Sequence, residues 1–146
     1  MSDKPRKVGI ISCSGEAIPG GTISRVACRK VLDDLRPGMS VTICLPLFIA
    51  GGEEERMFAD LFPTITVDGC DKRCAALGTE SLSGKPTKTL VVTEILEKKG
   101  IAPTTKLRNL GPEEQVAVQA VAEEIAAAID AIQAARQSSS GCPGIL

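Results

Sequence analysis

Short apolar stretches rich in β-branched residues alternate along this chain with segments of helical periodicity. Four such stretches are predicted to be strands, over Val8–Ser12, Val41–Cys44, Ile65–Asp68 and Lys88–Val92. The segments between them predict helices over about Gly21–Leu35, Glu53–Phe62 and Asp71–Leu82. Strands that alternate with helices are typical of βαβ units in a parallel sheet with right-handed crossovers. The pattern therefore predicts a single α/β domain of three layers.

The simplest topology for these elements is an open, doubly wound, four-stranded parallel sheet in the flavodoxin-like order 2-1-3-4. In that order the crossover direction reverses between strands 1 and 3, and ligands of such sheets bind at this switch point, beyond the carboxyl ends of the strands. We call this side of the sheet the carboxyl edge. The loops after strands 1 and 3 are expected to flank one crevice there.

A long Ala-rich helix is predicted from about Pro112 to Arg136, because Pro112 in the first turn, with Glu113 and Glu114 beside it, favours a helix start. Its apolar stripe comprises Val118, Val121, Ile125, Ala128, Ile129 and Ile132. Such a stripe is expected to cover one face of the sheet, and a homodimer surface is the alternative. Residues 1–137 are predicted to form the single domain, and residues 138–146 a flexible tail.

Thiols recur just beyond the predicted strands. Cys13 follows the first strand, Cys44 ends the second, and Cys70 and Cys74 follow the Asp68-Gly69 turn after the third. Because carboxyl ends of neighbouring parallel strands lie on one edge about 4.8 Å apart, these four thiols are expected to share one site. Helix N–H groups beside Cys70 and Cys74 would favour the thiolate form, which binds metals and attacks electrophiles.

Composition restricts the chemistry of this site. The chain of 146 residues has six cysteines but no histidine, which excludes Ser-His-Asp and Cys-His catalysis and imidazole metal ligands. A net charge of -1 and 2% aromatic residues disfavour nucleic-acid binding. The apolar runs are too short for a secretory signal or a membrane span. We therefore expect a cytoplasmic protein with reduced thiols, no membrane partner and no disulfide framework.

Three familiar cysteine or glycine motifs are incomplete. The glycine-rich loop after Cys13 has Gly21 where a Walker A motif requires lysine. Pro19 stands where a cysteine phosphatase loop requires arginine, and Leu77 stands where a radical-SAM motif requires its third cysteine. The two remaining cysteines are interpreted differently from the four at the strand ends. Cys28 is expected to pack inside the first helix, and Cys142 is expected to be a tail cysteine, with a resolving thiol or a fifth ligand as alternatives.

The sequence resembles the DGC-domain family of zinc-binding proteins. The matching motifs are Cys13-Ser14-Gly15, Cys44-Leu45 followed by Ala50-Gly51-Gly52, Val67-Asp68-Gly69-Cys70 with Cys74-Ala75, and Val91-Val92-Thr93. They occur in the order typical of the family and extend over about residues 7–103. The resemblance implies zinc binding by cysteines, and it does not supply a reaction.

Three hypotheses follow. The first is a zinc-thiolate protein that uses Cys13, Cys44, Cys70 and Cys74, because a d¹⁰ ion accepts tetrahedral sulfur ligation. Asp68 would orient backbone or a thiol without binding the ion itself. Ligation by only three thiols would leave an open position that suits a metal or metalloid carrier. The second is a thiol-redox enzyme with Cys70 as nucleophile and Cys74 or Cys13 as resolving thiol. The third is a partner-binding module that uses the Ala-rich helix.

Overall fold

The computed structural model of the protein describes residues 6–140. Its sheet contains the strands β1 (Val8–Ser12), β2 (Ser40–Thr42), β3 (Thr64–Asp68) and β4 (Lys88–Val91). All neighbouring strands pair in parallel, in the order β2-β1-β3-β4. The predicted topology is therefore confirmed, and the ends of β1 and β3 lie side by side at the switch point.

Helices cover both faces of the sheet. They are α1 (Pro19–Lys30), which continues as a π-helical turn over Val31–Leu35, α2 (Leu45–Ala50), α3 (Glu53–Arg56), α4 (Phe58–Leu61), α5 (Cys74–Leu82), α6 (Val92–Lys98) and α7 (Glu114–Ser140). Helices α1, α6 and α7 pack on one face, and α2, α4 and α5 pack on the other. Within residues 6–140, no helix combines the length and apolar character needed to cross a bilayer.

The second strand is shorter than predicted, which changes the position of Cys44. The strand ends at Thr42, and Cys44 is the N-cap of α2 with an extended backbone. Pro46 explains the difference, because proline is favoured in the first turn of a helix, where its missing N–H costs no hydrogen bond. Helix α2 was not predicted. The assignment of Cys44 to the strand was wrong, although the residue still lies just beyond the carboxyl end of β2.

Other elements also differ from the pattern. The single helix predicted over Glu53–Phe62 is divided into α3 and α4. Helix α5 begins at Cys74, because Arg73 adopts a left-handed backbone with φ of 54° and the residues before it form a turn. Helix α6, which was not predicted, follows β4 without a loop. Helix α7 continues to Ser140, beyond the predicted end at Arg136, and residues 141–146 with Cys142 lie outside the described residues.

The main core lies between the sheet and the α1, α6 and α7 layer. Val8 and Ile10 of β1 and Ile65 and Val67 of β3, all fully buried, contribute to it on this face. The predicted stripe of α7 is buried in the same cluster, through Val118, Val121, Ile125, Ala128 and Ile129, with Ile132 packed at its margin. The prediction that this stripe covers one face of the sheet is thus confirmed, and the homodimer stays a prediction.

Substitution of Ile125 by alanine should destabilise the protein strongly. Ile125 is fully buried in the main core, so the change removes apolar contacts and leaves a cavity, at a cost of about 2–5 kcal/mol in the free energy of unfolding. Urea denaturation measures this cost. Val116→Ala on the same helix is the control, because Val116 is 60% exposed and its loss should change stability by less than about 0.5 kcal/mol. Equal effects of the two substitutions would contradict the assigned core.

Candidate functional site

Two loops at the carboxyl edge meet through glycine backbone. Gly69, directly after β3, packs against the start of α1, so a β-carbon on Gly69 would lie 2.5 Å from the Gly20 carbonyl carbon and the Gly21 nitrogen. Gly21 in turn packs against the backbone of Gly15, and a β-carbon there would overlap the Gly15 carbonyl. Only residues without a side chain permit such close approach. The glycines therefore bring the β1–α1 loop and the β3–α5 turn into direct contact.

The sulfur of Cys13 lies at this contact. Gly69 donates its backbone N–H to Cys13 Sγ at 3.2 Å, and the Cys13 N–H donates to the Val67 carbonyl at 2.9 Å, which extends the pairing of β1 with β3. On the other side, Ser24 Oγ of α1 lies 3.7 Å from the same sulfur. Cys13 is half-buried. It is thus held between the turn that carries Cys70 and the first turns of α1.

Cys70, also half-buried, is the residue after Gly69. The Arg73 N–H donates to the Cys70 carbonyl at 3.3 Å and closes the turn that separates Cys70 from Cys74. The structure therefore places Gly69, the residue before Cys70, beside the sulfur of Cys13. That Cys13 and Cys70 share one site stays a prediction. Ser24 and Gly20, which complete this arrangement, were missed, and the Gly20-Gly21 pair was the signal for the close approach.

Cys44 and Cys74 both lie where a helix begins. Each stands at the start of a helix, Cys44 at α2 and Cys74 at α5, and both are exposed. Leu45 and Ala75, the residues that follow them, pack in one apolar cluster on this face of the sheet. Cys13 packs against the same cluster. That the four thiols share one site stays a prediction.

Asp68 holds the start of α5. Its carboxylate, 1% exposed, accepts the N–H groups of Ala75 at 2.7 Å and Ala76 at 3.1 Å. These are the groups that an N-cap side chain normally satisfies, and Arg73, the residue at that position, makes no such bond. Asp68 therefore orients backbone, which is one of the two roles predicted for it. Asp68 thus takes up the N–H groups of Ala75 and Ala76, and the predicted effect of the helix start on the thiols stays a prediction.

Opposing effects act on the Asp68 carboxyl. Burial raises its pKa above the usual value, since the charged form is poorly solvated there, and the two N–H bonds and the charge of Arg73 act in the opposite direction. The net result is a raised pKa.

Cys28 lies in a buried position on α1, within electrostatic reach of Cys13. Burial raises the pKa of its thiol to about 12, with the Ser12 side chain acting against this and Cys13 adding to it. At neutral pH the thiol is protonated, which is unsuited to metal ligation or nucleophilic attack. Its predicted role in packing agrees with its place in the main core.

The donor set suits a soft metal ion, but its side chains are not assembled as a cage. All five cysteines between residues 6 and 140 are free thiols. In the same range, no three Cys, Asp or Glu side chains are grouped closely enough to hold an ion. Thiolates are nevertheless the ligands that zinc and other soft ions select. Any ion bound here would have to draw its thiol ligands together.

These features define a doubly wound α/β protein with a thiol-bearing carboxyl edge. The family model of the DGC domain matches residues 9–132. The chain therefore belongs to the DGC-domain family, as its motifs indicated. No curated protein and no solved structure matches it significantly.

Asp68→Asn should change how stability depends on pH. A raised pKa means that the folded state holds the proton more tightly than the unfolded chain, so the contribution of Asp68 to stability is full at low pH and is lost as pH rises above the usual 3.8 towards the folded-state pKa. The free energy of unfolding of the variant, relative to wild type, should therefore rise over that window.

Urea denaturation at a series of pH values, with Asp71→Asn at an exposed position as control, measures this difference. A difference between Asp68→Asn and wild type that stays constant with pH, or that falls, would show that burial does not dominate at Asp68.

Proposed function

We propose that this DGC-domain protein binds a soft metal ion such as zinc through thiolates at its carboxyl edge, with Cys13 and Cys70 as the central ligands. The hydrogen bond from the Gly69 N–H to Cys13 Sγ carries the proposal. Cys70 follows Gly69 directly, so the backbone that contacts one sulfur also carries the next thiol. Two potential ligands thereby come from loops on neighbouring strands without any large movement of the chain.

The chemistry of the donors supports the same proposal. The chain has no histidine, so cysteine is the one strong soft donor available to it. Groups that bind a metal are usually hydrogen-bonded by a second layer of the protein, and the N–H of Gly69 is suited to this role for Cys13. When bound to thiolates, zinc supplies a structural cross-link, or a Lewis-acid centre if one position stays open.

Cys44 and Cys74 are proposed to complete the ligand set. Both thiols are exposed at helix starts, where a side chain can turn without disturbing the core. Asp68 supports this set indirectly, because it anchors the start of α5 and thereby fixes the turn between Cys70 and Cys74. Binding would then be accompanied by ordering of the side chains, which are not grouped in advance.

That lack of a preformed group favours one alternative, thiol-redox chemistry, which requires only two thiols. Cys70 and Cys74 flank a single closed turn and are both accessible. In this second candidate function, Cys70 would attack a substrate disulfide and form a mixed disulfide with it. Cys74 or Cys13 would then displace the substrate thiol, so that the substrate disulfide is reduced as the protein dithiol is oxidised. Partner binding through α7 gains no support, since its apolar stripe is buried against the sheet.

Zinc should bind at about one ion per chain, and Cys13→Ser and Cys70→Ser should each lower the bound zinc far below that ratio. Loss of one thiolate weakens a site whose total binding free energy is typically about 10 kcal/mol or more. Equilibrium dialysis against a competing chelator, followed by elemental analysis, gives the stoichiometry.

Cys28→Ala is the matched control. It also removes a thiol, but one that is buried and protonated, so zinc should remain and stability should fall by only about 1 kcal/mol. Full zinc binding by both serine variants would refute the ligand assignment. In that case, titration of free thiols separates the alternatives, because a disulfide releases thiols with reductant alone and a metal site releases them with chelator.

A further inference from the structure

The segment Thr104–Gly111, which links α6 to α7, forms a loop closed at its base by one carboxylate. Glu114, only 5% exposed, accepts hydrogen bonds from Thr104 Oγ1 at 3.0 Å and from the Gly111 N–H at 2.8 Å, and Lys106 Nζ lies 3.4 Å from it. The Lys106 N–H also donates to Thr104 Oγ1 at 3.1 Å. Both ends of the loop are thus tied to the first turn of α7.

The tip of this 104–111 loop contacts the start of α1 and the loop that carries Cys13. The Thr22 hydroxyl in the first turn of α1 donates to the Leu107 carbonyl, and Thr22 is 2% exposed. Arg108 Nε lies 3.4 Å from Glu16 Oε2, and Arg25 Nη1 of α1 donates to Glu16 Oε1 at 2.8 Å. Glu16 therefore connects the tip to the loop that carries Cys13, three residues away.

The contacts at the base of the 104–111 loop are stronger than the ion pairs that hold its tip to Glu16. The base uses a buried carboxylate with several donors, whereas Glu16, Arg25 and Arg108 are all substantially exposed. Exposed ion pairs are weak and are screened by salt. The tip can therefore separate from Glu16 while the base remains closed.

We infer that the 104–111 loop is a latch on the Cys13-bearing loop, with Glu16 and Arg108 as positioning residues that limit access to the Cys13 thiol. Glu16 joins the latch to the β1–α1 loop, and the Thr22 bond joins it to the start of α1, where Gly20 contacts Gly69. Separation of Glu16 from Arg108 leaves Arg25 as the other partner of its carboxylate, loosens the segment between Ser14 and Ile18 and exposes the sulfur. The inference holds for a metal-binding or a redox-active thiol alike.

The test is alkylation of the metal-free protein by iodoacetamide, an uncharged reagent, with the rate at each cysteine followed by peptide mass spectrometry. Glu16→Gln and Arg108→Gln should both accelerate labelling of Cys13 several-fold, and Arg108→Lys should restore the slow rate. High salt should accelerate labelling of wild-type Cys13 towards the rate of the variants. The rate at Cys44, at the start of α2, should stay unchanged.

The design separates latching from two simpler effects. A purely electrostatic influence on the thiol predicts opposite changes, because Glu16→Gln removes a negative charge and Arg108→Gln removes a positive one. Global destabilisation predicts labelling of the buried Cys28 along with Cys13.

Arg29→Gln is the matched control, since Arg29 pairs with Asp33 further along α1 and away from the latch. Opposite changes, labelling of Cys28, an equal effect of Arg29→Gln, or unchanged rates in both latch variants would each overturn the proposal. Because no metal is present, failure here is distinct from failure of zinc binding.

Discussion

The close contact of Gly69 with the start of α1 is the constraint on which the candidate site depends. It requires two segments without side chains, and it is the reason that the Gly69 N–H can reach the Cys13 sulfur at 3.2 Å. A larger residue at Gly20 or Gly69 would force the β1–α1 loop away from the β3–α5 turn. The loops that carry Cys13 and Cys70 would then no longer be in contact, although the strands of the sheet would still pair.

Asp68 is the second constraint, and it acts through backbone. By taking the first free N–H groups of α5, its carboxylate fixes where the helix begins and how Cys70 and Cys74 are separated. The buried charge costs solvation, which the N–H bonds offset in part, so the carboxyl titrates above its usual range. The Asp-Gly-Cys sequence thus joins a helix anchor, a close backbone contact and a thiol in three consecutive residues.

Strand order and the coarse position of the thiols could be predicted from the sequence, because they follow from local periodicity and from the rules of parallel sheets. The strand at Ile65–Asp68 and the buried stripe of α7 are examples. The start of α2 at Leu45 was missed because Val41–Cys44 reads as one apolar run, and Pro46 was the overlooked signal.

The remaining features depend on contacts between residues far apart in the chain. Gly69 and Cys13 are 56 positions apart, and periodicity carries no information on which N–H reaches which sulfur. The pairing of Glu16 with Arg108 is of the same kind, since charged residues on loops show no regular spacing. The anchoring of α5 by Asp68 could be predicted only in part. Asp68 was expected to orient backbone or a thiol, and the structure identifies the backbone groups.

The most direct test of the central claim, that thiols of the two loops bind one soft ion, is X-ray absorption spectroscopy at the zinc edge on the loaded protein. The account predicts a first shell dominated by sulfur at about 2.3 Å, and loss of sulfur scatterers from the zinc that remains bound when Cys13 and Cys70 are both replaced by serine. A first shell of oxygen or nitrogen in the wild type, or an unchanged sulfur shell in the double variant, would contradict it.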